Sequence, residues 1–197
     1  MAEQENKSLP DRRRFLLKNL GRGLIWLVVI VGGYFYARNN LNFTLESVLG
    51  PVYEKPRVVY LIFLASEVIF GIIPPEFFMI WSLRAEILTN YVNNIVSLSI
   101  ISYAAGVIGF LIGQYLNRTH FFVAMKKRVF GKFEEHLNHY GGFLVIVAAV
   151  TPLPFSGIAM LVGSVKYSFK KYLYFSLFRF ARFIVYSMIV WEANILN

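Results

Sequence analysis

Thirty-one consecutive residues, Ile87–Asn117, carry no charged side chain. A membrane-crossing helix needs only about 20 predominantly apolar residues, so this run constrains the fold more than any other feature. Further apolar blocks lie at Gly23–Ala37, Val58–Leu83, Gly141–Val165 and Tyr172–Trp191. The chain is 57% hydrophobic and 16% charged, where a soluble domain carries about a quarter charged residues. Apolar content gathered in blocks predicts an all-α, polytopic membrane protein. Its 197 residues leave little room for a water-soluble catalytic domain. With no cysteine, disulfides and CxxC zinc or redox sites are excluded.

The net charge of +9 comes from 20 Lys+Arg against 11 Asp+Glu. The basic residues flank the apolar blocks, the pattern by which membrane proteins fix their orientation. Anionic lipid is therefore the expected partner, and nucleic acid is not, since no RNA-binding motif or zinc-finger spacing is present.

Residues 1–19 read as a basic cytoplasmic tail. Residues 20–57 read as a retained N-terminal transmembrane helix and an interfacial connector, with Leu41, Phe43, Leu45 and Val48 at helical spacing. A cleaved signal peptide fits less well, because Phe35 is too bulky for the small-x-small rule at a cut after Ala37. The next apolar stretch, 58–83, is broken near its middle by Gly71, Pro74 and Pro75, with Glu67 and Glu76 on either side. Two prolines remove two backbone donors, and broken backbone at membrane depth survives only inside protein or beside a wet cavity. A re-entrant hairpin is expected here, followed by a transmembrane helix over 91–116. Gly106, Gly109 and Gly113 near the end of that helix mark a close helix–helix contact. Residues 118–140 form a basic amphipathic stretch. The segment 142–165 is broken again by Pro152 and Pro154, predicting a second re-entrant hairpin, and a last transmembrane helix covers 169–192.

Counting Lys and Arg supports this topology. With both broken segments turning back and the N-terminus inside, fourteen basic residues are cytoplasmic and four external; with both crossing fully, the division is ten to eight. The positive-inside rule favours the hairpins. The two halves of 58–192 then repeat one unit in opposite orientation, as in secondary transporters that bind substrate near the midplane.

Glu67 and Glu76 are the only acids inside apolar segments, and each costs at least ~2.5 kcal/mol at the centre of an isolated spanning helix. A proton-coupling pair and structural salt bridges to Arg179 or Arg182 are equally good readings. Glu76, directly after Pro75, is expected in the first turn of a helix. Arg179 and Arg182 are three apart and share a helix face, where their forks suit a phosphate headgroup. Charge balance for the glutamates is the plainer role, and snorkelling to the cytoplasmic surface is a third option for Arg179. Thr151 and Ser156 border the second break and offer hydroxyls to an anion, with a simple helix kink as the alternative. His136 and His139 lie near Glu134 and Glu135 without metal-site spacing. No metal, cofactor or catalytic motif is expected, and the chain is not read as an enzyme.

The segment Ser66-Glu67-Val68-Ile69-Phe70-Gly71-Ile72-Ile73-Pro74-Pro75-Glu76 resembles the first-hairpin motif of the DedA family, also called VTT-domain or SNARE-associated membrane proteins. His139-Tyr140-Gly141-Gly142, Thr151-Pro152-Leu153-Pro154 and Gly163 resemble its second-hairpin region. The resemblance covers about 58–192 and implies a lipid transporter or scramblase. Bacterial members are linked to undecaprenyl phosphate recycling and proton-motive force, and eukaryotic relatives scramble phospholipids. By that resemblance Glu67 and Glu76 match the acidic positions that couple protons. Many bacterial members carry Arg-Phe-x-Pro-x-x-Arg in the second hairpin; aligned on Pro152, this chain has Ala149 and Phe155 at the arginine positions. Phe110 follows Gly109 where an acid is usual, and Arg179 and Arg182 resemble the paired arginines of a divergent branch.

The expectation is thus a multi-pass protein of the inner or plasma membrane, N-terminus cytoplasmic, moving phosphate-bearing lipid headgroups with protons as coupling partners. A non-transporting protein that organises lipids or partners is the alternative, and an ion channel a weaker one. Association with further copies of the chain is left open.

Overall fold

The computed structural model describes residues 2–41, 50–69, 71–83, 88–116, 134–151, 153–165 and 167–196. Pro152, Arg84 and most of the amphipathic stretch 118–140 fall outside the described residues, as do the side chains of His136 and His139 and most of the interfacial connector. Among the described residues eight α-helices follow one another: α1 (Ala2–Leu41), α2 (Pro56–Val68), α3 (Pro75–Ser82), α4 (Leu88–Leu116), α5 (Glu134–Val150), α6 (Phe155–Ser164), α7 (Phe169–Ser176) and α8 (Phe178–Ile195). A 3₁₀ turn at Gly50–Val52 precedes α2. No strand occurs among the described residues.

Among the described residues, three helical stretches are long and apolar enough to cross a membrane: Leu20–Asn40, Thr89–Leu116 and Phe169–Ile195. The first differs from the sequence reading. Helix α1 does not start at the apolar block but runs from Ala2; Ala, Glu, Gln, Lys, Leu and Arg in the polar part favour helix, against the cost of Pro10. The third stretch also differs, since a tight turn at Leu177 separates α7 from α8. There Leu177 N–H donates to the Tyr174 carbonyl at 3.3 Å, while the Ser176 hydroxyl donates to Leu173 O at 2.9 Å. Such back-bonding competes with the regular ladder and bends helices.

The two proline-broken segments each form a pair of short helices. Helix α2 ends at Val68, and the chain turns through Gly71, whose φ of +67° lies in the left-handed region that favours glycine. Gly71 N–H donates to Ser66 O at 2.7 Å, and Ile73 N–H donates to the Ser66 hydroxyl at 2.8 Å. Pro75 then opens α3 at a position where its missing N–H costs nothing. In the second pair, α5 gives way at Thr151 and α6 starts after Pro154, whose carbonyl accepts from Ile158 N–H at 3.1 Å. At about 1.5 Å per residue, α2, α3 and α6 are each too short to cross a bilayer core of ~30 Å.

Two apolar clusters hold the helices together. The larger joins Leu27, Val31 and Phe35 of α1 to Phe63 of α2, Phe78 and Trp81 of α3, Leu98 of α4 and Phe183 of α8. The smaller joins Phe110 of α4 to Val145 and Ala148 of α5, Phe155 and Val162 of α6 and Tyr172 of α7. Apolar side chains also cover much of the exterior, while some charged ones are buried. Ile25, Val28, Val96, Ile100, Ile184 and Met188 point outward, whereas Glu67, Glu76, Ser102, Thr151, Ser156, Arg179 and Arg182 are buried. Hydrocarbon accepts such an apolar outer surface and rejects unpaired polar groups.

Helices α4 and α6 meet almost backbone to backbone. A Cβ on Gly113 would lie 2.0 Å from Met160 O, and one on Gly163 would lie 2.2 Å from Phe110 O. Lipid tails are as apolar as leucine, so close van der Waals approach of this kind is what binds helices within a membrane.

Candidate functional site: two ion pairs at the helix breaks

Each break delivers a functional group to the same place because each short helix ends or begins there. Glu67 is the penultimate residue of α2, and Glu76 lies in the first turn of α3. Opposite them, Arg179 and Arg182 project from the first turns of α8. The four sequence candidates form two separate pairs. Arg179 Nη2 donates to Glu67 Oε2, and Arg182 Nη2 donates to Glu76 Oε1 at 2.8 Å. Arg179 is only 3% exposed, so it does not snorkel; its charge is met inside the protein.

The first pair is a closed triad. Ser102 of α4 donates to Glu67 Oε2 at 2.9 Å and accepts from Arg179 Nε. The guanidinium carbon lies 4.4 Å from the centre of the Phe155 ring and 6.0 Å from that of Phe183, a cation–π arrangement strengthened by desolvation. Phe155 and Phe183 belong to different apolar clusters, so Arg179 sits between the two. Phe155 occupies one of the arginine positions of the bacterial motif, and here it supports an arginine from another helix.

The second pair ties the two breaks together. Arg182 Nη1 donates to Thr151 O at 2.7 Å while Nη2 holds Glu76. A further link joins the breaks, since the Ser156 hydroxyl donates to Glu67 O. The Thr151 hydroxyl donates to Val147 O at 2.6 Å. These two hydroxyls, read from the sequence as facing an anion, are fully buried with their protons directed at main-chain carbonyls. What Thr151 presents to Arg182 is its carbonyl oxygen.

A cavity of about 270 Å³ lies against this arrangement, bounded by Gly71, Pro74 and Pro75 of the first break and by Leu153, Pro154 and Phe155 of the second. Glu67, Glu76, Arg179 and Arg182 all reach its wall, and Trp26 and Ile30 of α1 complete it. Arg179 Nη1 and Arg182 Nε are buried donors without a hydrogen-bond partner in the protein. Leaving a buried donor unsatisfied costs ~1–3 kcal/mol, more when it is charged. No group of three or more metal-ligating side chains occurs among the described residues.

Sequence reasoning missed Ser102, Trp26, Ile30 and the supporting role of Phe155. A serine in an apolar helix and an aromatic in a first span carry no signal of their own. Only the clustering of small and polar residues on α4 (Ser99, Ser102, Gly106) hinted at a polar inner face.

Apolar outer helices, buried ion pairs and paired helix breaks define a membrane protein with charged groups in its interior. Comparison with known families gives the particular assignment: residues 73–192 match the VTT domain. The chain belongs to this family, the DedA or SNARE-associated membrane proteins. No curated protein and no solved structure matches it. The matched segment starts inside the first break, so α1 and Glu67 lie ahead of it.

Proposed function

We propose that this protein is a lipid carrier of the inner or plasma membrane that moves phosphate-bearing headgroups past its two helix breaks. In this reading 58–83 and 142–165 insert as re-entrant hairpins from opposite sides, with the N-terminus cytoplasmic. The observation that carries it is the cavity between the breaks, whose wall holds both buried carboxylate–arginine pairs. A phosphate oxygen is the acceptor that guanidinium forks fit best. A volume of about 270 Å³ is below the ~300–1,000 Å³ usual for whole-ligand sites. It takes a headgroup and leaves the tails in the bilayer.

Protons enter through competition. Each arginine is held by one carboxylate, and protonating that carboxylate removes the charge that holds it. The freed guanidinium then binds phosphate more strongly. By linkage, phosphate binding favours protonation to the same degree. The test is headgroup translocation in proteoliposomes, with labelled polyprenyl phosphate and ordinary phospholipids compared. Glu67→Gln, which keeps an oxygen to accept from Arg179, and Arg182→Ala should each abolish translocation of the preferred lipid. Normal rates in both variants would remove these residues from the mechanism.

The completeness of the Glu67–Ser102–Arg179 triad favours a second reading, a protein that organises lipids or partners without transporting them. It predicts that neutral substitutions at Glu67 and Arg182 are tolerated in function, while Gly106 and Gly113 tolerate none.

A further inference from the structure

Helix α1 borders two openings. Trp26 and Ile30 reach the cavity at the breaks, while another face of the same helix lines an open groove of about 480 Å³ against α8. Val28, Gly32 and Phe35 of α1 and Ile189 and Ala193 of α8 form its walls, and Asn39 and Asn40 close one end. Gly32 sets its depth. Glycine costs a helix stability relative to alanine, and membrane helices accept it chiefly where a second helix comes close. Gly113 is used that way, since a Cβ there would lie 2.0 Å from Met160 O. A Cβ on Gly32 would meet nothing within 4 Å. Among the described residues, no helix uses the space this glycine leaves.

The groove is one leaflet long. From Val28 to Asn40 it runs about 18 Å at 1.5 Å per residue, against ~15 Å for half of a ~30 Å hydrocarbon core. The spanning stretch is Leu20–Asn40, so Val28 lies near its middle and Asn40 at its end. A neighbouring transmembrane helix would make contact along both halves of the span, whereas a lipid occupies one. Polarity follows the same axis. The walls are apolar at the inner end, and Tyr36, 67% exposed, stands toward the outer end, at the depth where tyrosines settle. There Asn40 Nδ2 donates to Tyr36 O at 2.9 Å. Arg38 is exposed, and its Nη1 donates to Asn194 Oδ1 at 3.4 Å, bridging α1 to α8 next to Asn39 and Ala193 of the groove. That partner is a neutral amide, so the bond leaves the positive charge of the guanidinium in place.

An apolar trough one leaflet deep, with an arginine at its interfacial end, matches a phospholipid of the same leaflet in length, polarity and charge. We propose that the groove between α1 and α8 binds one anionic phospholipid, with an acyl chain along Gly32 and the phosphate-bearing headgroup at Arg38. This site is separate from the cavity at the breaks and does not depend on headgroup translocation there.

Site-specific photo-cross-linking of the full chain tests it. A benzoylphenylalanine in place of Tyr36, which lines the groove, captures its neighbours in vesicles of equimolar phosphatidylglycerol and phosphatidylcholine, and mass spectrometry counts the adducts. Bulk bilayer gives the two lipids equally. The groove should give about fivefold more phosphatidylglycerol, the gain from one arginine beside an anionic headgroup. Arg38→Gln should bring the ratio to parity. So should Gly32→Phe, whose ring fills the groove where a Cβ meets nothing. Gly33→Phe is the control for a bulky residue in α1. A Cβ there also meets nothing within 4 Å, but Gly33 does not line the groove, and the excess should persist. Parity without these substitutions, an excess that survives either Arg38→Gln or Gly32→Phe, or its loss with Gly33→Phe would overturn the site. A cross-link to a second copy of the chain, removed by Gly32→Phe, would also overturn it and assign the groove to self-association. Lipid translocation that fails while the fivefold excess stands would count against the carrier alone.

Discussion

Arg179 illustrates how a charge is kept inside an apolar fold. It gives one nitrogen to Glu67 and another to Ser102, and two rings face its guanidinium. Removing one member of a buried pair costs ~3–5 kcal/mol, because the partner stays behind unpaired, whereas replacing both with apolar residues is often neutral. Arg179→Leu should therefore lower the unfolding temperature in detergent sharply, and Glu67→Leu/Arg179→Leu should recover most of the loss. Thermal unfolding of the two variants side by side checks this. The four ionisable residues were legible in the sequence, since each is expensive at that depth. Which acid meets which arginine was not. The partners lie more than a hundred positions apart, and either pairing satisfies the charge. The destination of the Thr151 and Ser156 hydroxyls was equally hidden, because a hydroxyl beside a helix break finds a main-chain carbonyl as readily as a ligand.

Among the elements, the contact between α4 and α6 sets the sharpest constraint. Gly113→Ala places a methyl 2.0 Å from Met160 O, and a main-chain atom cannot rotate aside. It should destabilise the protein by several kcal/mol, as overpacking of backbone does at its upper end, ~3 kcal/mol or more. Gly32→Ala is the matched control, with nothing within 4 Å of the new Cβ. It should be neutral or stabilising by up to ~1 kcal/mol through helix propensity. Gly71→Ala, at φ +67°, should cost ~1–2 kcal/mol from left-handed strain alone. Thermal unfolding separates the three. The spacing of Gly106, Gly109 and Gly113 announced that some helix comes close. That it is α6, answered by Gly163, depends on the order in which the chain folds back and is invisible in spacing. Helix α3 starts directly after Pro74 and α6 directly after Pro154, because proline acts locally. The tight turn at Leu177 has no local mark in the sequence, since neither glycine nor proline lies between Phe169 and Ile195.

At the scale of the whole molecule, the apolar exterior and the charge count make one orientation testable. With no native cysteine, single cysteines at Arg84 and Lys127 can be labelled without background. The proposed arrangement expects Arg84→Cys to react from outside and Lys127→Cys from the cytoplasm. The reverse result would abolish the opposed insertion of the two breaks. Packing is uneven across the three long helices. In the spanning windows 22% of α1 is buried, against 44% for α4 and 39% for α7–α8. Where two main chains touch with nothing but glycine between them, there is no rotamer to give way. The second break and α4 must therefore travel as a single keel. The first helix is held by one face alone, through Leu27, Val31 and Phe35, and from that edge it closes the cavity with Trp26 and Ile30.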